Sequence, residues 1–440
     1  MFNYYAGMPK VAIVGAGSAV FARQLMTDLL AVEGLDDGVF ALVDVDGERL
    51  ELARRIALRL VELSGKRWSV EASTDRNRVL PGSDYVISSI EVAGLKHVRA
   101  EYEIPMRYGV DQCIGDTIGP GGIFKALRTG PVWLDIVADV QRVAPRALVI
   151  NYSNPMSILT LAAARSTELP VIGLCHSVQG TSRQLAGYLE VPYEEITWRC
   201  AGINHNAWFT TLEREGEDLY PRLRERARIT EVYEQDPVRF EVMLHLGAFV
   251  TESSGHFSEY VPYFRNRRDL LARYTRTGYL GESGFYANNW PSWRRYNDEL
   301  IASMLAGDTP VPVTRGHEYA STIIEAIECG RPASVHGNVL NRGWVENLPD
   351  GCVEVECRVT GDGLTPCRFG KLPEQLAALN RAHMAVHELV VEAVMERDRG
   401  KAKYALMLDP LTAAACSLEE IDRLFDELWA AERESLTAYG

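Results

Sequence analysis

Residues 10–18, Lys-Val-Ala-Ile-Val-Gly-Ala-Gly-Ser, constrain the fold more than any other stretch of the chain. The run Val11–Val14 suits a buried strand, and Gly15-x-Gly17 lets the backbone turn sharply and come close to a ligand. An apolar periodicity from Val20 to Leu30 then predicts a helix whose amino-terminal amides face that turn. A second strand, Val39–Val43, ends in Asp44. A carboxylate at that point accepts hydrogen bonds from ribose hydroxyls and repels a 2′-phosphate, so NAD is expected rather than NADP. Val20 stands where the full fingerprint has its third glycine, so the strand before, the helix after and Asp44 carry this reading. The expected cofactor contacts are Gly15, Gly17, Ser18 and Asp44; the blander alternative is a glycine-rich turn in some other α/β protein.

The pattern continues with a helical period over Glu48–Leu63 and strands at Tyr85–Ser88, Ala147–Ile150 and Pro170–Ile172. Strands alternating with helices predict an α/β fold, here a doubly wound parallel sheet of Rossmann type over residues 1–190. Beyond it, residues 191–265 mix short strands with loops, 266–310 are polar and arginine-rich with helical character, and Val353–Val359 reads as a strand. Helices are expected over Gln375–Met395, Lys401–Met407 and Leu418–Leu436. With no linker in sight, residues 191–440 are expected to form a second, α+β domain packed tightly on the first.

Bulk properties exclude several classes. The chain has 440 residues and a formal charge of −14, which disfavours nonspecific nucleic-acid binding. The arginines at 265, 267, 268, 294 and 295 mingle with Trp290 and Trp293, but match no nucleic-acid module. No apolar run approaches the ~18 residues of a membrane span, and Met1–Tyr5 has no secretory character. The eight cysteines include no C-x-x-C pair and read as reduced thiols, consistent with a cytoplasmic protein.

Gly173-Leu174-Cys175-His176-Ser177-Val178-Gln179-Gly180-Thr181 follows the strand at 170–172 and places a thiol beside an imidazole. A second imidazole, His205, lies downstream in Asn204-His205-Asn206. A Cys175–His205 pair would form a mixed sulfur–nitrogen metal site with positions left for substrate oxygens. Taken singly, each is more often a packed or hydrogen-bonded side chain. By donor type alone the metal would be zinc or iron.

Several segments together resemble the family-four glycoside hydrolases. They are Gly15–Ser18, Gly115-Asp116-Thr117-Ile118-Gly119-Pro120-Gly121-Gly122, Asn151-Tyr152-Ser153-Asn154-Pro155-Met156, the Cys-His-Ser-Val stretch and Gly202–His205. The resemblance continues through Thr251–Tyr260, Glu318–Thr322 and Asn347–Pro349 to Met407–Pro410, nearly the whole chain. The Cys-His-Ser-Val form is similar to the melibiase-type α-galactosidases of that family. Family members are among the exceptions to two-carboxylate glycoside hydrolysis.

The resemblance implies hydrolysis of a small α-galactoside by redox-neutral elimination and addition. NAD oxidises the sugar at C3, a base removes the C2 proton, the glycosidic oxygen leaves C1, water adds and the hydride returns. It also implies Mn²⁺, held by Cys175 and His205, with His176 as the acid for the leaving group. Asn154 would lie between nicotinamide and sugar, and Asp116 would reach the sugar hydroxyls unless it only caps a helix or turn before Gly119. The C2 base is expected among His256, Glu259 and Tyr260. If that segment is a strand, adjacent residues face opposite ways; Tyr260 is the choice, with His256 a substrate contact. Arg128 and Arg315 read as partners of surface carboxylates. The same mechanism on α-glucosides or α-galacturonides is the near alternative, and a plain NAD-dependent sugar dehydrogenase is the alternative of another class. A homodimer or homotetramer is expected, with the helical tail offering an interface.

Overall fold

The computed structural model describes residues 8–439. The amino-terminal run read above for targeting lies outside them. Thirteen strands form one sheet. In chain order they are β1 (Lys10–Val14), β2 (Asp37–Val43), β3 (Arg67–Ser73), β4 (Tyr85–Ser88), β5 (Leu148–Asn151), β6 (Val171–Gly173), β7 (Thr197–Ile203), β8 (Asn206–Arg214), β9 (Glu217–Asp218), β10 (Phe249–Val250), β11 (Ala333–Leu340), β12 (Cys352–Thr360) and β13 (Gly363–Pro366).

Strands β3-β2-β1-β4-β5-β6 are parallel neighbours in that order, the dinucleotide-binding arrangement expected. The cause is visible in the side chains: Val11–Val14, Tyr85–Ser88 and Leu148–Asn151 are buried throughout, as strands covered on both faces must be. The sheet then runs on, antiparallel, through β11, β12, β7, β8 and β10. Each joint at the crossover is a single register pair, Gly173 with Asn338 and Gly202 with Glu354.

The predicted tail helices are present at Glu374–Glu396, Arg399–Leu408 and Leu418–Glu432. Ser417 and Glu420 start the last one with a reciprocal capping box. These helices pack on the long Gly119–Val143 helix, where Phe124 meets Phe425. Arg128, expected at the surface, is fully buried here. Its guanidinium lies 2.6 Å from Glu101 and also pairs with Glu432, closing the last long helix onto the Gly94–Arg107 helix. Burial is tolerated because two carboxylates replace the lost water. Arg315 does pair with a carboxylate, that of Glu325. Among the described residues no helix is long and apolar enough to cross a membrane.

Candidate active site

The cleft opens at the carboxyl ends of β1, β4, β5 and β6, where an open α/β sheet offers ligands its loops. It encloses about 510 Å³ and is lined by Gly15, Gly17, Ser18, Asp44, Asp116, Asn154, Cys175, His176 and His205. Nine of the sequence-predicted site residues thus share one cavity. The other two, His256 and Tyr260, are buried against His205.

At one end the glycine turn closes on β2. The Gly17 amide donates to Asp44 Oδ2 at 2.7 Å, and Asp46 donates to Oδ1 at 2.9 Å. Gly15 has φ +89°, and a Cβ there would stand 2.7 Å from the Ser89 carbonyl oxygen. A Cβ at Gly17 would stand 2.6 Å from Asp44 Oδ2. Only glycine fits at either point. The Ala19–Leu30 helix begins beside them with no side chain capping its first amides, which leaves those amides for an anion.

At the other end Cys175 follows β6 by two residues, and His205 sits in the β7–β8 turn with φ +63°. Cys175 Sγ and His205 Nε2 are 3.2 Å apart. Burial would raise the thiol, but the His205 imidazole draws it down to about 7. Burial would likewise lower the imidazole, but Glu252 and Cys175 raise it to about 10. Glu252, just after β10, brings Oε2 to 3.2 Å from the same Nε2. On the far side of the ring the Tyr260 hydroxyl is 3.5 Å from Nδ1. Burial and the nearby Glu252 and Asp116 keep the phenol well above its ordinary pKa.

His176 is half-exposed at the cleft wall, its Nε2 2.8 Å from Glu318 Oε2. That hydrogen bond raises the ring's pKa. Glu318 is set in place by Asp28 of the Ala19–Leu30 helix, whose carboxylate accepts from the amides of Gly316 at 2.7 Å and Glu318 at 3.2 Å.

Asp116 accepts from Asn154 Nδ2 at 3.0 Å and from the Thr117 hydroxyl at 2.8 Å. Lys125 Nζ lies 3.5 Å away, and bonds Glu91 at 2.7 Å. Burial would raise the Asp116 carboxyl, but Lys125 and His256 hold it below the ordinary range. It does not cap the following helix, where Ile118 occupies the cap without a side-chain bond.

The segment expected as a strand is a helix, Ser254–Tyr260, started by the Ser253 hydroxyl accepting from the His256 amide. His256 and Tyr260 are therefore four apart on one helix face, both against His205. The His256 ring centroid is 4.8 Å from that of His205, and its buried Nε2 has no hydrogen-bond partner. Glu259 turns the other way. It accepts from the amides of Cys113, Ile114 and Gly115 at 2.7, 2.6 and 3.0 Å, fixing the loop that carries Asp116. That removes it from the candidates for proton transfer.

Sequence reading missed Glu252, Glu318, Lys125 and Glu91. Glu318 lay in a segment of the family resemblance, but its approach to His176, 142 residues away, had no local signal.

A match to the family 4 glycosyl hydrolase model covers residues 10–191, and one to the family 4 C-terminal domain covers 200–412. The chain is 38% identical to an α-galactosidase of Bacillus subtilis (strain 168), over 98% of this chain and all of that one. It is 36% identical to an α-galactosidase of Rhizobium meliloti (strain 1021), over 98% and 89% of the two. Similarity to an α-galacturonidase of Lachnoclostridium phytofermentans is lower, 28% over 97% and 96%. The fold is shared with a 6-phospho-α-glucosidase from gut microorganisms, crystallised with NAD and Mn²⁺ (TM-score 0.81, 20% identity, covering 98% of this chain and 99% of that one). A dinucleotide-type turn and a thiol–imidazole corner in one cleft, with both family models matching in sequence along the chain, lead to one conclusion: this chain belongs to family 4 of the glycosyl hydrolases.

Proposed function

We propose that the protein hydrolyses α-galactosides by the redox-neutral elimination and addition described above, using NAD and a divalent ion, Mn²⁺. The observation that carries this reading is the single cleft in which the Gly15–Gly17 turn and Asp44 face the Cys175–His205 corner. The residues suit both groups: the glycine turn leads into a helix whose first amides no side chain caps, and the thiol and imidazole are a donor pair. Gly15, Gly17, Ser18, Asp44 and Asn154 would hold the dinucleotide, and Cys175 and His205 the metal. What the two groups supply when bound is hydride acceptance and return at the sugar's C3 and Lewis acidity toward its oxygens.

The protein's own groups do the rest. His176 delivers a proton to the glycosidic oxygen leaving C1, a role its hydrogen bond to Glu318 supports by favouring the protonated ring. The C2 proton goes to His256, whose Nε2 has no hydrogen-bond partner and lies 3.8 Å from Asp116 Oδ1. The role proposed for Tyr260 is narrower than sequence reading gave it. Its hydroxyl sits at Nδ1, away from Cys175, and holds His205 in place. Asp116 and Asn154 bind sugar hydroxyls.

Charge favours a neutral sugar. Near the corner the wall carries Asp116 and Glu91, and the ammonium between them, Lys125, is already shared by both. Arg49 is bound twice by Asp298, and Arg294 lies near Asp44, at the dinucleotide end. A uronate carboxylate would find the Lys125 ammonium already paired.

The test is incubation with NAD⁺, Mn²⁺ and p-nitrophenyl α-galactoside in D₂O. Release of the phenol without net NADH, and with deuterium at C2 of the product, is the expected result. NADH accumulating in step with turnover would establish a dehydrogenase instead. His256→Ala should lose C2 deuteration while still binding NAD⁺ and Mn²⁺.

A further inference from the structure

A third side chain reaches the Cys175–His205 corner. Glu252 Oε1 is occupied by the Ser253 amide at 2.9 Å, which turns Oε2 toward His205. Oε2 and Cys175 Sγ each lie 3.2 Å from one nitrogen, Nε2, and the three donor atoms fall within 4.8 Å of one another.

Those separations have a coordination meaning. Two ligand atoms bonded to one ion at about 2.0–2.3 Å stand about 3.0 Å apart at a right angle and about 3.5 Å apart at the tetrahedral angle. Both 3.2 Å edges fall between these limits.

The backbone points the same way. His205 at φ +63° and Glu252 at φ +74° both hold the left-handed conformation that residues with a side chain avoid. Such conformations persist where surrounding structure enforces them, and they cluster at functional sites. They belong to different loops, one between β7 and β8 and one after β10, yet their side chains meet.

Charge completes the argument. As ligands the three would be a thiolate, a carboxylate and an imidazole that has given up its second proton, a set whose charge of minus two one divalent cation neutralises. The carboxylate also complements the thiolate, since Mn²⁺ favours oxygen donors and the sulfur–nitrogen pair supplies none.

We propose that Glu252 is a third protein ligand, giving the ion a sulfur, nitrogen and oxygen donor set and leaving its remaining positions to substrate oxygens and water. This assignment rests on reading the site as metal-dependent. The probe is Mn²⁺ alone, added to metal-free protein, with free Mn²⁺ followed by electron paramagnetic resonance and Zn²⁺ affinity measured by competition. Glu252→Gln should bind Mn²⁺ about 10- to 100-fold more weakly, with a smaller loss for Zn²⁺, while NAD⁺ binding and the melting temperature stay near wild type. Unchanged Mn²⁺ affinity in a folded Glu252→Gln variant would overturn the assignment and leave the metal-dependent reading standing. Wild-type protein that binds neither ion would overturn both. Should the variant not fold, anomalous diffraction from wild-type crystals soaked in Mn²⁺ decides the point. A peak about 2.0–2.3 Å from Oε2, Sγ and Nε2 is expected, and one bonded to Sγ and Nε2 but more than about 3 Å from Oε2 overturns the proposal.

Discussion

His176 illustrates how much one partner decides. Next to Cys175 in sequence, it turns away from the thiol and bonds Glu318 at 2.8 Å. A proton donor matters most when the leaving group is a poor one. Glu318→Gln should therefore lower kcat/KM by about 10-fold or more on alkyl α-galactosides and far less on p-nitrophenyl α-galactoside, out of the range of about 10²–10⁴ typical of proton transfer by a positioned side chain. Equal losses on both substrates would place Glu318 in binding or folding instead. The residue types at 175, 176 and 205 were legible in the sequence because thiol and imidazole side chains are few and chemically distinctive. Glu252 stood in the Thr251–Tyr260 segment of the resemblance, but nothing local gave it a role until the fold brought it to 3.2 Å from His205.

Elements show where local pattern suffices and where it misleads. β1, β4 and β5 were read correctly because strands buried on both faces are continuous apolar runs. β3 escaped notice as an edge strand in which only Trp68 is buried. Strand geometry was the basis for choosing between Glu259 and Tyr260, yet the Ser253 cap and packing against His205 make residues 254–260 a helix, and the helix regroups the candidates for proton transfer. The segment before the Tyr319–Glu328 helix has no regular structure, and Asp28 gives it position through two backbone amides. Asp28→Ala should speed hydrogen exchange at Gly316 and Glu318 and lower turnover along with it. An unchanged exchange rate there, read by mass spectrometry, would show that the segment is held by other contacts.

At the scale of the whole molecule, three buried histidines weaken the fold in acid. Burial lowers His97 and His336 to about 4 and His387 to about 3, so in the folded protein they stay neutral below their ordinary pKa of 6.5. Between about pH 6.5 and 4 the unfolded chain takes up protons that the folded one refuses. Their contribution to stability is thus intact above pH 6.5 and falls as the pH drops, by about 1.4 kcal/mol per unit for each. Melting temperature should decline steeply across that window, and His387→Gln should flatten the decline; a parallel profile for the variant would remove His387 from the account. Neither these burials nor the Arg128 cluster could be read from sequence, because residues as distant as 128 and 432 meet only through tertiary packing.

The single-pair joints of the sheet have a further consequence. Gly173 and Gly202 pair with Asn338 and Glu354 at the crossover, two residues before Cys175 and three before His205. A Cβ at Gly173 would stand 2.5 Å from Met156 Sδ, and one at Gly202 the same distance from the Asn206 carbonyl oxygen, so both joints are closely packed positions that only glycine fills. The two walls of the cleft are parts of one plate. The separation of Cys175 from His205 is thereby tied to the strand order of one continuous sheet, and not to the packing of two separate sheets.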